Sequence, residues 1–138
     1  MTATATPPQS GTAPSSANIH LMQLTSAYWA SRCLHVVAQL GVADHIGDTP
    51  QSTEALAKAT ATQPDALYRV LRLLASLEVF AWKDGAWAHT EASRLLRSDS
   101  PGSLRDYVRM LGLPIFWGAF EDLEHSLQTG ESAFAKRH

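Results

Sequence analysis

The pattern of hydrophobic and polar positions predicts a chain of helices that opens with an unusually apolar one. In the stretch LMQLTSAYWASRCLHVVAQLG, Arg32 is the only formal charge. Asn18 is a good N-cap and Gly41 a good C-cap, so we predict a helix from Asn18 to about Leu40. A helix that is apolar on most sides must be buried on most sides.

This first helix carries more apolar surface than the rest of a short chain can cover. One stripe consists of Ile19, Met22, Ala30, Cys33, Val37 and Leu40. Further apolar residues lie largely off that stripe: Leu21, Leu24, Tyr28, Leu34 and Val36. We therefore predict that the helix lies in the interface of a homodimer with two-fold symmetry, of the obligate, apolar kind. The alternative is that another domain of a longer chain covers it.

Two helices and a hairpin are predicted next. A helical turn at Val42–Ile46 and a turn at DTPQ lead to a helix from Thr53 to about Thr60, with Ser52 as its N-cap. Thr62 is the expected N-cap of the following helix, with Asp65 three residues later and Pro64 in the first turn. Its apolar face is expected to contain Leu67, Val70, Leu71, Leu74 and Leu77.

Asp84-Gly85 marks the turn of a β-hairpin, so helix, helix and hairpin follow in winged-helix order. Thr90 is the expected N-cap of a short helix, Glu91 to Arg97. Ser103 is the expected cap of another helix that reaches Leu111. A last helix is predicted from Pro114 to about Gln128, stopped near Gly130. The fold class is therefore mostly α, winged-helix-like, with one small β-hairpin.

Length and composition indicate one globular domain preceded by a tail. The chain has 138 residues, of which 45% are hydrophobic and 17% charged. Residues 1–17 are rich in Thr, Ala, Pro and Ser and are predicted to be a disordered tail, which leaves residues 18–138 as the domain. The charge fraction is low for a free-standing surface, which suggests that something else covers part of it.

Neither a membrane nor an oxidising compartment is indicated. The N-terminus has no basic residue and no apolar core, so it is not a signal peptide. Arg32, His35 and Gln39 interrupt the first helix well short of a membrane span. Cys33 is the only cysteine, so no internal disulfide can form and a reducing, cytoplasmic setting is expected.

DNA binding is the alternative function that a winged-helix order raises. Arg69 and Arg72 on the second of its helices, with Lys83 on the wing, are the residues that would contact phosphates. Acidic residues interleave with them, and the net charge of the chain is −2 with a pI near 6.3. Because the electrostatic attraction that drives such binding is nearly absent, we expect no nucleic-acid partner.

No catalytic or cofactor-binding residues are predicted in this chain. It has no glycine-rich phosphate loop and no plausible acid-base pair. Glu121, Asp122 and His125 share a helix face with the spacing of metal ligands, but a solvated helix face is the favoured interpretation. We therefore predict no metal site.

An aromatic cluster is the one candidate for ligand binding. Phe116, Trp117 and Phe120 lie at the start of the last predicted helix, with Met110 shortly before them. Such side chains line apolar ligand pockets, and they also form ordinary cores. A stand-alone helical dimer that binds a hydrophobic small molecule is therefore a further alternative.

Several motifs, taken in order, resemble the N-terminal dimerisation domain of the S-adenosylmethionine (SAM)-dependent small-molecule O-methyltransferases, of both the plant caffeate type and the bacterial antibiotic-pathway type. They are MQLTSAY, LGVADHI, TEALAKATATQPDALYRVLRLLASLEVF, GAWAHTEASRLLRSDSPGSLRDYV and FWGAFEDLEHSLQTGESAF. The resemblance spans residues 19–137. The chain departs from it at Ala61 and Glu78, where the family often has glycine, and these changes affect turn geometry rather than chemistry.

The resemblance also implies what lies outside this chain. Members of the family continue into a Rossmann-like domain that binds SAM and usually supplies a general-base histidine. This chain stops at FAKRH, so we expect a fragment, an engineered half or one piece of a split enzyme. Alone, it should be catalytically silent and hold no cofactor.

Two roles are implied for the residues that are present. The domain should hold a homodimer through its first helix, with Met22 and Ser26 reaching the pocket of the partner subunit. Met110, Phe116, Trp117 and Phe120 should line the subunit's own pocket for a small aromatic or polyketide-like hydroxyl compound. The domain's part in catalysis would be to position this acceptor and to exclude water.

Overall fold

The computed structural model describes residues 11–138, and the first ten residues of the predicted tail lie outside that range. The chain is mostly helical with one two-stranded antiparallel hairpin, as predicted. Its elements in order are α1 (Ser16–Leu40), a 3-10 turn (Val42–His45), α2 (Thr53–Thr60), α3 (Pro64–Ser76), β1 (Phe80–Lys83), β2 (Ala86–His89), α4 (Glu91–Arg94), α5 (Arg105–Leu111), α6 (Pro114–Glu121), α7 (Leu123–Thr129) and α8 (Ala133–Arg137).

Helix α1 ends where the sequence predicts and begins earlier. Gly41 closes it in the left-handed conformation with φ of 70°. The N-cap is Ser15, not Asn18, and its side chain accepts a hydrogen bond from the Asn18 amide. Both residue types are good caps, so the more N-terminal one extends the helix by two residues into the predicted tail. No helix within residues 11–138 has the length and apolarity that a membrane span needs.

The core forms around the C-terminal half of α1. There Val37 and Ala38 are buried, whereas almost every side chain of residues 16–31 is exposed. We call residues 16–31 the arm. The core is completed by apolar side chains from the 3-10 turn, α2, α3, the hairpin and the segment after α4: Val42, Ile46, Leu56, Leu67, Leu71, Leu74, Phe80, Trp87 and Leu96. The C-terminal half of the helix thus belongs to the core, and the arm is exposed.

The hairpin follows its predicted turn. Asp84 and Gly85 both have positive φ, 50° and 78°, which is the type I′ geometry that matches the twist of paired strands. Trp87 on β2 is fully buried, and its indole N–H donates to the Thr53 hydroxyl at 2.9 Å. Gln51 exchanges two backbone hydrogen bonds with Trp87, so the segment predicted only as a turn adds a bridge to the sheet.

The predicted N-cap is found in α2 but not in α3. Ser52 accepts from the Ala55 amide, as predicted. The prediction of Thr62 as the cap of α3 is wrong: Gln63 holds that position without a side-chain bond, and Pro64 opens the helix. The prediction for Leu77 is also wrong, since α3 ends at Ser76 and Leu77 turns away from the core, 51% exposed.

Two residues that end helices adopt a conformation that favours glycine. Ala61 closes α2 with φ of 53°, and Glu78 follows α3 with φ of 64°. These are the two positions at which the resemblance leads one to expect glycine. A side chain in the left-handed region costs about 1 kcal/mol relative to glycine.

The segment between the hairpin and α5 is less helical than predicted. Thr90 and Ser93 form a capping box, which confirms Thr90 as the cap. Regular helix stops at Arg94 rather than Arg97, and the chain continues in turns. The Ser103 hydroxyl accepts from the Arg105 amide, although Leu104 holds the N-cap position of α5.

The last predicted helix is broken in two and followed by another. Helix α6 ends at Glu121 with Asp122 as its C-cap, α7 ends at Thr129 with Gly130 as its C-cap, and α8 returns against α6. Lys136 donates to the Asp122 carboxylate at 3.0 Å, and this bond lowers the pKa of Asp122. Asp122, where the helix breaks, thus takes part in a long-range contact with α8 that local periodicity does not reveal.

His89 joins the hairpin to the 3-10 turn as a neutral side chain. Its Nε2–H donates to the Ile46 carbonyl at 2.6 Å, and Nδ1 accepts from the Ser93 hydroxyl at 2.9 Å. Burial lowers the pKa of His89, and the nearby Arg97 and Arg94 lower it further. Protonation would end the bond that Nδ1 accepts.

This lowered pKa predicts a stability that falls in mild acid. The unfolded chain binds the proton more readily than the folded one, so the contribution of His89 is complete above its ordinary pKa of about 6.5 and is lost as the pH falls below it. The midpoint of thermal unfolding, measured between pH 7.5 and 5, should decrease. His89→Asn should flatten that decrease, whereas His45→Asn, at an exposed position outside the arm, should leave it unchanged. An equal slope in all three proteins would contradict the assignment.

Candidate functional site

The arm exposes a row of large apolar side chains. Met22 is 67% exposed and Leu24 60%, and an open groove of about 670 Å³ lies along this part of the helix. The groove is lined by Pro14, Ile19, Leu21, Met22, Gln23, Thr25, Ser26 and Trp29. Exposed apolar surface of this extent on a helix marks an interaction site.

The apolar surface continues from the arm into a groove between α1 and α3. That groove, about 570 Å³, is lined by Tyr28, Trp29, Arg32, Cys33, Ala66, Arg69, Val70 and Leu73. Burial raises the pKa of the Cys33 thiol, so this cysteine is protonated near neutral pH and is not an activated nucleophile. The groove is therefore a packing surface rather than a reaction site.

Arg32 crosses from α1 to the junction of α5 and α6. Its Nη1 donates to the Gly112 carbonyl at 3.0 Å. Its guanidinium carbon lies 4.6 Å from the centre of the Trp117 ring, which is a cation–π arrangement. The only charge of α1 thus fixes both the end of α5 and an aromatic side chain of α6.

His35 lies one turn further along α1 and packs against Gly112. A Cβ at residue 112 would come within 1.7 Å of the His35 Nδ1, so only glycine fits there. That Nδ1 is buried and has no hydrogen-bond partner among the described residues. The α5–α6 junction therefore packs directly against α1.

Arg32, His35 and Trp117 share an open cavity of about 490 Å³, which we call the Arg32 cavity. Its other lining residues are Gly112, Pro114, Ile115, Gly118, Glu121, Arg137 and His138. Arg137 is neutralised there, since its Nη1 lies 2.8 Å from Glu121 Oε2 and 3.4 Å from Asp122 Oδ2. The cavity combines apolar walls with charged groups at one side.

The six residues proposed from the sequence to bind substrate do not form one cluster in the single chain. Met22 and Ser26 lie together in the arm groove, and the Ser26 hydroxyl donates to the Met22 carbonyl at 2.9 Å. Trp117 lies in the Arg32 cavity with Phe120 edge-on to it at 6.3 Å. Met110, Phe116 and Phe120 are exposed, so these three do not belong to the core of the chain.

Sequence reasoning missed the polar part of the cavity. In the sequence, Arg32 is distinguished only as the single charge of its helix, and no motif marks Gly112 or Arg137. The three residues come from α1, the α5–α6 junction and α8, and only the fold brings them together. A lone charge in an otherwise apolar helix was the one available indication.

The side chains weighed as metal ligands are held by other side chains, through ion pairs or, for His125, a hydrogen bond. Glu121 pairs with Arg137, Asp122 with Lys136, and His125 Nε2 lies 3.1 Å from Glu131 Oε2. Between residues 11 and 138, no three His, Cys, Asp or Glu side chains are grouped as a metal site requires.

The sequence matches a known family and individual relatives. The O-methyltransferase dimerisation domain matches residues 22–99. The chain is 40% identical over 117 residues to a phenazine O-methyltransferase of Lysobacter antibioticus, covering 84% of this chain and 34% of the relative. It is 38% identical over 128 residues to a 3-amino-4-hydroxybenzoate 4-O-methyltransferase of Streptomyces cremeus, covering 90% and 34%. The chain thus spans about a third of the length of these relatives.

Solved structures agree with this similarity. The crystal structure of LaPhzM has a TM-score of 0.82 and 38% identity, covering 89% of this chain and 37% of that protein. CalO1, a methyltransferase in calicheamicin biosynthesis solved in its SAH-bound form, has a TM-score of 0.75 and 38% identity, covering 80% and 33%. In each case this chain aligns with a minor part of the larger protein.

The contact between Gly112 and His35 predicts an unusually sensitive glycine. Gly112→Ala should lower the free energy of unfolding by about 1 to 3 kcal/mol, because the added methyl group overlaps the imidazole. Gly47→Ala is the matched control, since a Cβ there meets nothing within 4 Å and should change stability little. Denaturant unfolding measures both.

A double-mutant cycle identifies the cause. In a His35→Ala background, Gly112→Ala should cost much less than in the wild type, because the overlapping ring is gone. An unchanged cost in that background would show that the substitution acts elsewhere.

Proposed function

Because the chain belongs to the O-methyltransferase dimerisation-domain family, we propose that it forms a homodimer through α1 and caps the acceptor pocket of a SAM-dependent methyltransferase. The exposed apolar arm is the observation that carries this proposal. It offers a surface that a second copy, related by two-fold symmetry, can cover with the same surface of its own.

The proposed dimer answers an energetic problem of the isolated chain. Fully burying a side chain such as Leu21, Met22 or Leu24 stabilises by about 1.5 to 3 kcal/mol relative to leaving it in water. Several such side chains lie side by side on the arm and continue into the α1–α3 groove. Packing against the partner's arm removes this surface from water without desolvating a formal charge, because residues 16–31 contain no Asp, Glu, Lys or Arg.

The proposed acceptor is a small aromatic hydroxyl compound. The relatives are named for a phenazine and for 3-amino-4-hydroxybenzoate, both of which are planar aromatic molecules. Trp117, Phe116 and Phe120 offer flat surfaces for such a ring, and the exposure of the last two is consistent with coverage by a catalytic domain. Met22 and Ser26 are proposed to reach the partner subunit's pocket from the arm.

The proposed division of labour leaves the chemistry to the rest of the enzyme. SAM would supply the methyl group from a catalytic domain, as the SAH-bound relative suggests. The side chains described here would hold the acceptor hydroxyl in line with the methyl donor and keep water away from it. By itself the chain would be catalytically silent.

DNA binding gains no support as a second function. Arg69, which would contact phosphate, instead donates to the Asp65 carbonyl within its own helix, and the chain has no basic excess. A stand-alone helical dimer that binds a hydrophobic ligand differs from our proposal only in lacking a catalytic partner.

If the chain dimerises through the arm, a charge introduced there should disrupt the dimer. The chain should sediment as a dimer at micromolar concentration. Leu24→Asp and, separately, Met22→Asp should convert it to a monomer, because a carboxylate in an apolar interface loses its hydration.

Leu127→Asp is the matched control for those variants. Leu127 is a leucine that is 81% exposed on α7, away from the arm, so this variant should remain a dimer. A monomeric wild type, or dimers that survive both arm substitutions, would rule out the proposed interface.

The proposed pocket predicts a selective kinetic defect in a chimera. We would join this chain to the remaining part of the Lysobacter phenazine O-methyltransferase in place of its matching segment. Trp117→Leu should raise the KM for the aromatic acceptor about tenfold and leave the KM for SAM nearly unchanged, since a stacking surface is lost. Trp82→Leu, on the hairpin, should change neither value. Equal effects on acceptor and donor would contradict a role in acceptor binding.

A further inference from the structure

Arg32 is a partly buried positive charge without a counter-charge. No carboxylate in residues 11–138 lies within the 4.0 Å that defines an ion pair with it, and residues 1–10 contain no acidic side chain. The recorded hydrogen bond of its guanidinium is the one to the Gly112 carbonyl. A partly buried charge without a partner is costly, and an anionic ligand would offset that cost.

The other cation of the cavity does not share this property. Arg137 contacts the carboxylates of Glu121 and Asp122 and also donates to the Gly118 carbonyl at 2.6 Å. Its charge is therefore compensated within the chain. An anion that entered the Arg32 cavity would meet its strongest unbalanced attraction at Arg32.

The guanidinium is also held in a defined orientation. Its guanidinium carbon lies over the Trp117 ring, 4.6 Å from the ring centre, and the bond to the Gly112 carbonyl fixes one of its nitrogens. A guanidinium has five N–H donors, so most remain available for a ligand. Two parallel N–H groups match the two oxygens of a carboxylate, and a preoriented arginine loses little freedom in binding one.

The walls of the cavity suit a flat apolar body attached to that carboxylate. Trp117, Ile115 and Pro114 line it beside the charged groups, and its volume of about 490 Å³ lies in the range of small-molecule sites. Inorganic phosphate would satisfy the arginine but would leave these apolar walls in water. An aromatic carboxylate satisfies both.

We propose that the Arg32 cavity binds planar aromatic carboxylic acids, with the carboxylate on Arg32 and the ring against Trp117 and its apolar neighbours. This inference rests on the proposed function for its meaning, since such an acid would be the methyl acceptor or its close analogue. The site itself belongs to this chain and is tested on it directly.

The test compares a charged ligand with a neutral ligand of the same shape. 2-Naphthoate and 2-naphthamide are titrated into the chain, and the indole N–H resonances of its tryptophans are followed by NMR. Naphthoate should bind about tenfold more tightly, as expected for one charge-assisted hydrogen-bonded pair. Inorganic phosphate should not displace naphthoate at equal concentration.

Three variants assign the difference to one side chain. Arg32→Met should abolish the preference for naphthoate over naphthamide, and Arg32→Lys should retain part of it. Arg105→Met is the matched control, because Arg105 is a second guanidinium that donates to a backbone carbonyl, that of Ala38, but does not line the cavity. It should keep the full preference.

Several outcomes would overturn the proposal. Equal affinity of the wild-type chain for naphthoate and naphthamide would do so whether or not the variants fold. Persistence of the full preference in Arg32→Met would reject Arg32 as the binding residue, and displacement by phosphate would reject the aromatic class. Sedimentation of the same samples tests the dimer separately from the ligand site. A monomer that still prefers naphthoate would support the ligand site and reject the dimer. A dimer without the preference would reject the ligand site and support the dimer.

Discussion

Burial of the apolar surface of α1 is the constraint on which the rest of the structure depends. The C-terminal half of the helix, around Val37, is covered by the 3-10 turn, α3 and α5, and there it organises the core. The arm has no such cover within the described chain. One continuous helix therefore serves two kinds of packing, one within the chain and one that calls for a second molecule.

The same helix determines how the candidate site is assembled. Arg32 and His35 lie one turn apart and both contact Gly112. Arg32 donates to the Gly112 carbonyl oxygen, and the His35 ring occupies the space that a side chain at residue 112 would fill. Helix α6 and Trp117 follow directly from that junction. The exposed arm and the Arg32 cavity are thus neighbouring parts of one helix, so the proposed dimer interface and the proposed ligand site would share α1.

Local chemistry explains which elements the sequence could predict. Gly41 and the Asp84-Gly85 turn act through their own backbone, and the side chains of Ser52 and Thr90 accept from amides three residues further on. These effects are local, so the sequence predicts them correctly. The misses involve long-range contacts or equal local competitors: Ser15 and Asn18 are both good caps, and Asp122, at the break, bonds to Lys136 in α8. The Arg32 cavity joins residues up to about a hundred positions apart, and no periodicity reveals such a meeting.

The most direct test of the central claim is a distance measured between two arms. Gln23→Cys in a Cys33→Ser background places one spin label on each chain, and pulsed electron resonance reports label-to-label distances. A dimer through α1 predicts a defined distance within about 40 Å, the length of a helix of this size. Absence of any dipolar interaction at concentrations well above micromolar would contradict the account.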